Sequence, residues 1–209
     1  MGLTRRFVGT PRRRESCALV STEAAQFFFA VLTILAALGT AGVVVLRVVA
    51  RTSQPARELL GDIHAAALWL AFMVAATCTL GSLYFSEIAD FVPCKLCWFQ
   101  RIAMYPLAVI LLVAAIRRDR GVRWYVLPLA AIGAGIAAYH YLIEWRPELD
   151  SGSCDLFGPS CTDVWFREFG FVSLALMALV GFVSILALLF VPIPATLEES
   201  EDETEVEFA

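Results

Sequence analysis

Apolar residues are grouped in five long stretches that are separated by polar segments. None of these stretches alternates apolar and polar residues with the period of two that a half-buried strand requires. A helix needs about 20 apolar residues to cross the hydrocarbon core of a membrane, and the stretches reach or approach that length. The pattern therefore predicts apolar helices at residues 24–50, 65–85, 98–116, 124–142 and 170–191.

The composition favours a membrane protein. Hydrophobic residues make up 59% of the 209 residues and charged residues 17%, against roughly 45–50% and about 25% in soluble domains. A chain this apolar is neither disordered nor a small secreted disulfide scaffold. Its formal net charge of −4 indicates no nucleic-acid partner. We expect an all-α integral membrane protein that is embedded in lipid.

Arginines between the stretches predict the orientation. Residues 117–123 contain four arginines, and cytoplasmic loops are rich in Lys and Arg. If this loop lies inside, the segments 87–97 and 144–169 lie outside, and each of them carries two cysteines. The sequence therefore predicts a multi-pass protein of the plasma (inner) membrane with both cysteine pairs on the extracytoplasmic side.

The first stretch conflicts with that charge rule. If residues 24–50 span the membrane, the basic tail 1–23 with its five arginines lies outside. If the stretch lies in the interface, the tail stays inside and the rule is satisfied. We expect a true span, because 27 mostly apolar residues are costly to leave unburied. Cleavage of a signal peptide after Ala50 is rejected, since it would place the 94–97 pair inside.

Two cysteine pairs indicate redox chemistry. Cys94 and Cys97 form a CxxC motif at the outer end of the third stretch, where a helix N-terminus favours a thiolate. Cys154 and Cys161 lie in the long outer loop. Thiolates are the nucleophiles of disulfide exchange. Electrons could therefore pass from an external thiol to the loop pair, then to the CxxC pair, then to a hydrophobic acceptor in the bilayer.

Three polar side chains suggest a site for that acceptor. Arg101 follows Cys97 by four residues, so both share one helix face, and a charge inside a membrane segment is a functional hypothesis by default. We expect Arg101 to bind a quinone carbonyl, with Gln100 as a second donor. His140, at a similar depth in the fourth stretch, could protonate the reduced quinone. The structural alternatives are an Arg101 that reaches the headgroups and a His140 hydrogen-bonded at the interface.

The cysteines also permit other interpretations. A CxxC motif can be half of a zinc site, and the loop pair can be a structural disulfide. The chain has no second CxxC motif and no His near these thiols in sequence, so we expect no metal. Cys17 and Cys78 have no neighbouring thiol in sequence and are interpreted as bystanders.

Residues 93–106, which read PCKLCWFQRIAMYP, resemble the signature of the DsbB family, particularly its BdbC-like branch. The segment YHYLIE at 139–144 and the FGF at 169–171 extend the resemblance over roughly residues 60–192. It implies a four-helix redox domain that reoxidises an extracytoplasmic thioredoxin-like thiol oxidase and passes electrons to the quinone pool, ubiquinone or menaquinone. The apolar segment 24–50 and the acidic tail 193–209, which we expect to be disordered, are additional to this family pattern.

The resemblance also implies individual roles. Cys94 and Cys97 match the quinone-proximal pair, in which Cys97 is the thiolate that contacts the quinone ring. Cys154 would form a mixed disulfide with the partner, and Cys161 would pair with Cys94 in an intermediate. Arg101 matches the quinone-binding arginine, and His140 is similar to residues of the BdbC-like branch. The resting disulfide, Cys94–Cys97 or Cys94–Cys161, stays open.

Three rival functions have distinguishable signatures. A vitamin K epoxide reductase-like protein also uses a CxxC motif and a loop pair, but in that family the loop pair precedes the motif, whereas here it follows. A metal transporter or sensor using Cys94 and Cys97 would bind zinc or copper and would leave Arg101 unexplained. A structural membrane protein with inert disulfides would lose stability, but no electron transfer, on Cys to Ser change. We therefore expect a protein-disulfide:quinone oxidoreductase.

Overall fold

The computed structural model describes residues 12–150 and 159–190, with side chains from Thr22 onwards. Within these residues the protein is all-α, and four helices are long and apolar enough to cross a membrane. The fifth, of 16 residues, is shorter but equally apolar. The α-helices are α1 (Arg12–Val49), α2 (Gln54–Glu87), α3 (Lys95–Arg117), α4 (Arg123–Trp145) and α5 (Leu174–Leu189). The prediction of an all-α membrane bundle with an additional N-terminal helix is thereby confirmed.

Two helices begin well before their predicted limits, α1 at Arg12 rather than residue 24 and α2 at Gln54 rather than residue 65. Residues 12–23, predicted as part of a basic tail, and residues 54–64 are helical. Pro55 lies in the first turn of α2, where its missing N–H removes no intrahelical hydrogen bond. A hydropathy pattern detects the apolar part of a helix, whereas the helix continues as long as its backbone hydrogen bonds are made.

Helices α2 to α5 form a bundle in which each helix packs on its sequence neighbours and α5 closes the ring against α2. Its centre contains fully buried side chains of α3, α4 and α5, and small residues of α2 allow close approach. Gly133 of α4 faces Phe182 of α5, and a Cβ atom there would lie 2.3 Å from the ring. The fully buried members of this core are Ala71, Ala75, Leu107, Leu111, Val126, Ala130, Ala137, Phe182 and Ile185.

The additional helix α1 packs on the outside of the bundle, against α5 and α2. The rings of Phe27 and Phe169 are 5.7 Å apart at one end, Thr40 Oγ1 and Ser184 Oγ are 2.8 Å apart in the middle, and Arg47 donates to the Ala187 carbonyl at the other end. These contacts advance in the same direction along both helices, so α1 and α5 are parallel. The beginning of α1 therefore lies at the end of the bundle that carries the CxxC motif.

The two ends of the bundle differ in charge. The arginines of the α3–α4 connection, Arg117, Arg118, Arg120 and Arg123, are all exposed. They lie at the end opposite the CxxC motif, because α3 crosses the whole bundle between the two. The fold thus separates the basic connection from the cysteines by the length of one 23-residue helix.

Candidate active site

The CxxC motif begins α3. Cys94 is the N-cap residue, and its sulfur accepts a hydrogen bond from the backbone N–H of Cys97 at 3.3 Å. Both cysteines are free thiols, and their Sγ atoms are 2.8 Å apart. A disulfide bond measures about 2.05 Å, so only a small movement separates the dithiol from the disulfide.

His140 of α4 contacts this thiol pair. Its Nε2 atom is 3.7 Å from Cys94 Sγ and 3.2 Å from the backbone oxygen of Cys161, and its Nδ1 atom is 3.0 Å from Gln100 Nε2. Both side chains are buried, His140 with 4% and Gln100 with 7% exposure. An amide nitrogen only donates, so with this Gln100 orientation Nδ1 accepts, and Nε2 carries the proton next to Cys94.

The surroundings of Cys94 favour its thiolate form. The hydrogen bond from the Cys97 thiol lowers the pKa of Cys94 most strongly, and the contact with His140 lowers it further, against the opposing effect of burial. The pKa therefore lies well below the ordinary value of about 8.5 for a free thiol. In the reduced pair these surroundings therefore favour the thiolate at Cys94.

Cys161 lies directly against the CxxC motif. It is fully buried and forms one apolar cluster with Cys94 and Ile143, and its carbonyl accepts a hydrogen bond from His140. It is disulfide-bonded, whereas Cys94 and Cys97 are free, so neither of these is its partner. Cys154, predicted to act with Cys161, lies outside the described residues.

A buried carboxyl group near His140 was given no role in the sequence analysis. Glu144 follows His140 by one turn of α4 and is 8% exposed. Ser173 Oγ donates to its Oε2 atom at 2.6 Å, and Arg167 donates to its backbone oxygen at 2.7 Å. The signal that could have identified it is an acidic residue four positions from a histidine within an apolar helix. The site thus has a second titratable group, one helix turn from His140.

A cavity of about 300 Å³ lies on the other side of the CxxC motif, among α1, α2, α3 and α5. Cys97, Gln100 and Arg101 line it from α3, whereas Cys94 and His140 do not. Its walls are mostly apolar, with few polar groups, which suits a hydrophobic ligand that has a small polar head. Apolar lining residues include Phe29, Leu32, Met73, Val74, Phe85, Phe91, Met104 and Trp165.

Arg101 is held in this cavity by α2. Its Nε atom donates to Ser82 Oγ at 2.9 Å and its Nη2 atom to the Ser82 carbonyl at 3.0 Å. Tyr105 donates to the same hydroxyl at 3.3 Å, and the guanidinium lies 5.4 Å from the centre of the Trp98 ring. A guanidinium has five N–H donors and Ser82 uses two of them. Arg101 is therefore fixed in orientation and retains donors for a ligand.

The same residues could also hold a metal ion. Cys94, Cys97 and His140 each present one ligand atom, and these atoms lie within 4.8 Å of one another. A Cys2His set is typical of a zinc site with one open position. The sequence analysis did not identify it because His140 follows Cys94 by 46 residues, and only the packing of α4 on α3 brings them together.

Comparison with known proteins finds relatives that form disulfide bonds. A family model described as "Disulfide bond formation protein DsbB" matches residues 64–192. Disulfide bond formation protein C of Bacillus subtilis (strain 168) is 44% identical over 119 residues, which are 57% of this chain and 86% of that protein. A probable disulfide formation protein of Deinococcus radiodurans is 47% identical over 133 residues, 60% of this chain and 87% of its own. No solved structure matches significantly.

Proposed function

Because the chain belongs to the DsbB family of disulfide bond formation proteins, which are membrane disulfide oxidoreductases, we propose that it transfers electrons from an extracytoplasmic thioredoxin-like thiol oxidase to a membrane quinone. One observation supports this path for the electrons most strongly. The CxxC pair lies between two environments: Cys94 packs on the loop cysteine Cys161, and Cys97 lines the apolar cavity together with Arg101. Such a pair can receive electrons on one side and release them on the other.

On the loop side, a thiolate of the partner attacks Cys154 and displaces Cys161 as a thiolate. This attack forms a mixed disulfide between the partner and Cys154. The partner's second thiol then attacks that bond, so the partner leaves oxidised and the loop pair is a dithiol. Cys161 next attacks Cys94 of the Cys94–Cys97 disulfide and releases Cys97 as a thiolate. Cys154 resolves the Cys94–Cys161 bond, and the loop disulfide is restored.

On the cavity side, a bound quinone supplies a two-electron, two-proton acceptor, either ubiquinone or menaquinone. Cys97 lies at the cavity wall, beside the site that would hold the quinone. Oxidation of the reduced pair, in which the Cys94 thiolate bonds to the sulfur of Cys97, would release two electrons and two protons to that acceptor. Arg101 stabilises the negative charge that develops during reduction, and Gln100 orients His140. His140 donates a hydrogen bond from its Nε2–H toward Cys94 Sγ, and so stabilises the thiolate at the position where the disulfide forms.

The direct test is anaerobic reduction of a ubiquinone by the purified full-length protein, with a reduced thioredoxin-like oxidase as donor. Wild type is compared with Cys94→Ser and Cys154→Ser, and Cys17→Ser serves as the matched thiol control. We expect activity in wild type and the control and its loss in both other variants. Wild type without activity would contradict the proposal.

Metal binding is the second candidate function, and the Cys94, Cys97 and His140 ligand set is the observation that favours it. It predicts stoichiometric zinc in the purified reduced protein, loss of that zinc in His140→Ala, and no quinone reduction. Elemental analysis of the same preparation used for the quinone assay separates the two functions. Quinone reduction by metal-free protein would exclude a metal requirement.

A further inference from the structure

The additional helix α1 takes part in the cavity. The family match begins at residue 64, inside α2, so α1 lies outside the matched region. Four of its residues nevertheless line the cavity: Phe29, Leu32, Thr33 and Ala36. Leu32, Thr33 and Ala36 follow Phe29 by three, four and seven residues, so the four side chains lie on one face of the helix. The opposite face of α1 is exposed, as Leu35 and Leu38 show.

Phe29 is the most closely fitted of these side chains. Its ring lies over Gly81 of α2, where a Cβ atom would come within 2.8 Å of Cε1, and it also contacts the buried Phe85 ring at 5.5 Å. Gly81 is followed by Ser82, the residue that holds Arg101. The Phe29 ring therefore packs on the residue of α2 that directly precedes Ser82, and Ser82 holds the proposed quinone-binding arginine.

The position of α1 is fixed by polar contacts. Thr40 is hydrogen-bonded to Ser184, and Arg47 donates to the Ala187 carbonyl; both partners lie in α5. Polar contacts between membrane helices specify a register, so Phe29 is held at a defined height in the cavity.

We propose that α1 forms a wall of the quinone cavity and that Phe29 determines which quinone head group the cavity accepts. The inference rests on the proposed function. Phe29 packs against the flat face of a head group whose carbonyl binds Arg101, while Leu32 and Ala36 contact the apolar tail. A four-helix relative without this wall would be open to lipid on that side, whereas here the ring limits the size of the head group.

The test compares ubiquinone-2 and menaquinone-2, which have tails of equal length and head groups of one and two rings. In Phe29→Ala the missing ring leaves space beside the smaller head group, so KM for ubiquinone-2 rises about tenfold with kcat little changed. KM for menaquinone-2 rises less, and the selectivity shifts toward the larger head group. Phe29→Trp shifts it in the opposite direction.

Leu35→Ala is the control, because it removes an apolar side chain from the exposed side of the same helix. Its quinone selectivity should equal that of wild type. Equal shifts in the Leu35 and Phe29 variants, or no shift in either, would overturn the proposal. Thiol exchange with the partner oxidase, which does not use the cavity, should be unchanged in all variants and shows that they are folded.

A measurement on the wild-type protein covers the case in which a variant does not fold. An azido-ubiquinone photolabel should attach to the α1 peptide containing Phe29–Ala36 as well as to α3. Labelling of α2, α3 and α5 without α1 would overturn the role of α1 but leave the quinone reaction intact. Wild type that neither reduces nor binds ubiquinone-2 would instead contradict the proposed function itself.

Discussion

At the scale of single residues, the two cysteines of the CxxC motif have different neighbours although they are only three positions apart. Cys94, at the N-cap of α3, packs on Cys161 and His140. Cys97, inside the first turn, lines the cavity with Arg101. The geometry of a helix N-terminus thus places one sulfur against Cys161 and the other at the wall of the cavity.

The contact with His140 predicts a pH dependence of Cys94 reactivity. In reduced wild type, the lowered pKa keeps Cys94 as a thiolate as the pH falls below 7, and the thiolate is lost only near the depressed pKa. In His140→Ala one cause of the lowering is removed while the hydrogen bond from Cys97 remains. The pKa of Cys94 should therefore rise toward its ordinary value, and alkylation by iodoacetamide should weaken at a higher pH than in wild type.

Peptide mapping after alkylation separates Cys94 from the other thiols. His64→Ala is the control, because His64 lies in α2 at the opposite end of the bundle. Identical pH profiles for wild type and the His140 variant would show that the imidazole does not act on Cys94.

Arg101 predicts a defect that is specific to the quinone step. Arg101→Ala removes a charge-assisted hydrogen bond, which contributes about 1.5–3 kcal/mol, so quinone KM should rise by about ten- to a hundredfold. Arg101→Lys retains the charge but not the forked geometry that contacts Ser82 twice. Its KM for the quinone should lie between those of wild type and Arg101→Ala. Thiol exchange with the partner should be unaffected. Unchanged quinone kinetics in both variants would refute the role.

At the scale of elements, the sequence was sufficient for what depends on local composition. The apolar runs located the five α-helices of the described residues, and the CxxC motif with the following apolar run located the start of α3. The starts of α1 and α2 were missed because the first turns of both helices are polar. Two features depend on which helices pack against each other: the contact of His140 with Cys94, and the contribution of α1 residues to the cavity wall. Hydropathy carries no information on which helices are neighbours.

Close packing between α4 and α5 predicts a stability effect at one glycine. In Gly133→Ala the new Cβ atom would lie 2.3 Å from the fully buried ring of Phe182, so the helices must separate or the ring must shift. Overpacking of this kind costs about 1–3 kcal/mol. Thermal unfolding in detergent should show a lower Tm than wild type.

Gly135→Ala is the matched control for this effect, since a Cβ atom there meets no atom within 4 Å. It lies two positions along the same helix and carries the same change in helix propensity. Its Tm should equal or exceed that of wild type. Equal losses in the two variants would mean that α4 and α5 do not approach each other at Gly133.

At the scale of the whole molecule, the bundle places redox groups at one end and basic residues at the other. The CxxC motif, Cys161 and the beginning of α1 share one end. The exposed arginines between α3 and α4 lie at the other. Charge at the arginine end favours the cytoplasm, and disulfide chemistry requires the oxidising side. Both requirements are met by a single orientation, in which the beginning of α1 shares the side of the cysteines.

This orientation predicts opposite labelling of two exposed positions. Glu23, near the beginning of α1, and Arg120, between α3 and α4, are both exposed. In intact cells a membrane-impermeant maleimide should label Glu23→Cys, whereas Arg120→Cys should react only after permeabilisation, because the expected orientation places residue 120 in the cytoplasm. Mapping the labelled peptide separates these sites from the native cysteines.

Labelling of both positions from the same side would contradict this orientation. The chain crosses the bundle three times between the two positions, through α1, α2 and α3, so they should lie on opposite sides. Glu23→Cys that reacts only after permeabilisation would place the basic tail inside, and α1 could not then span the membrane parallel to α5.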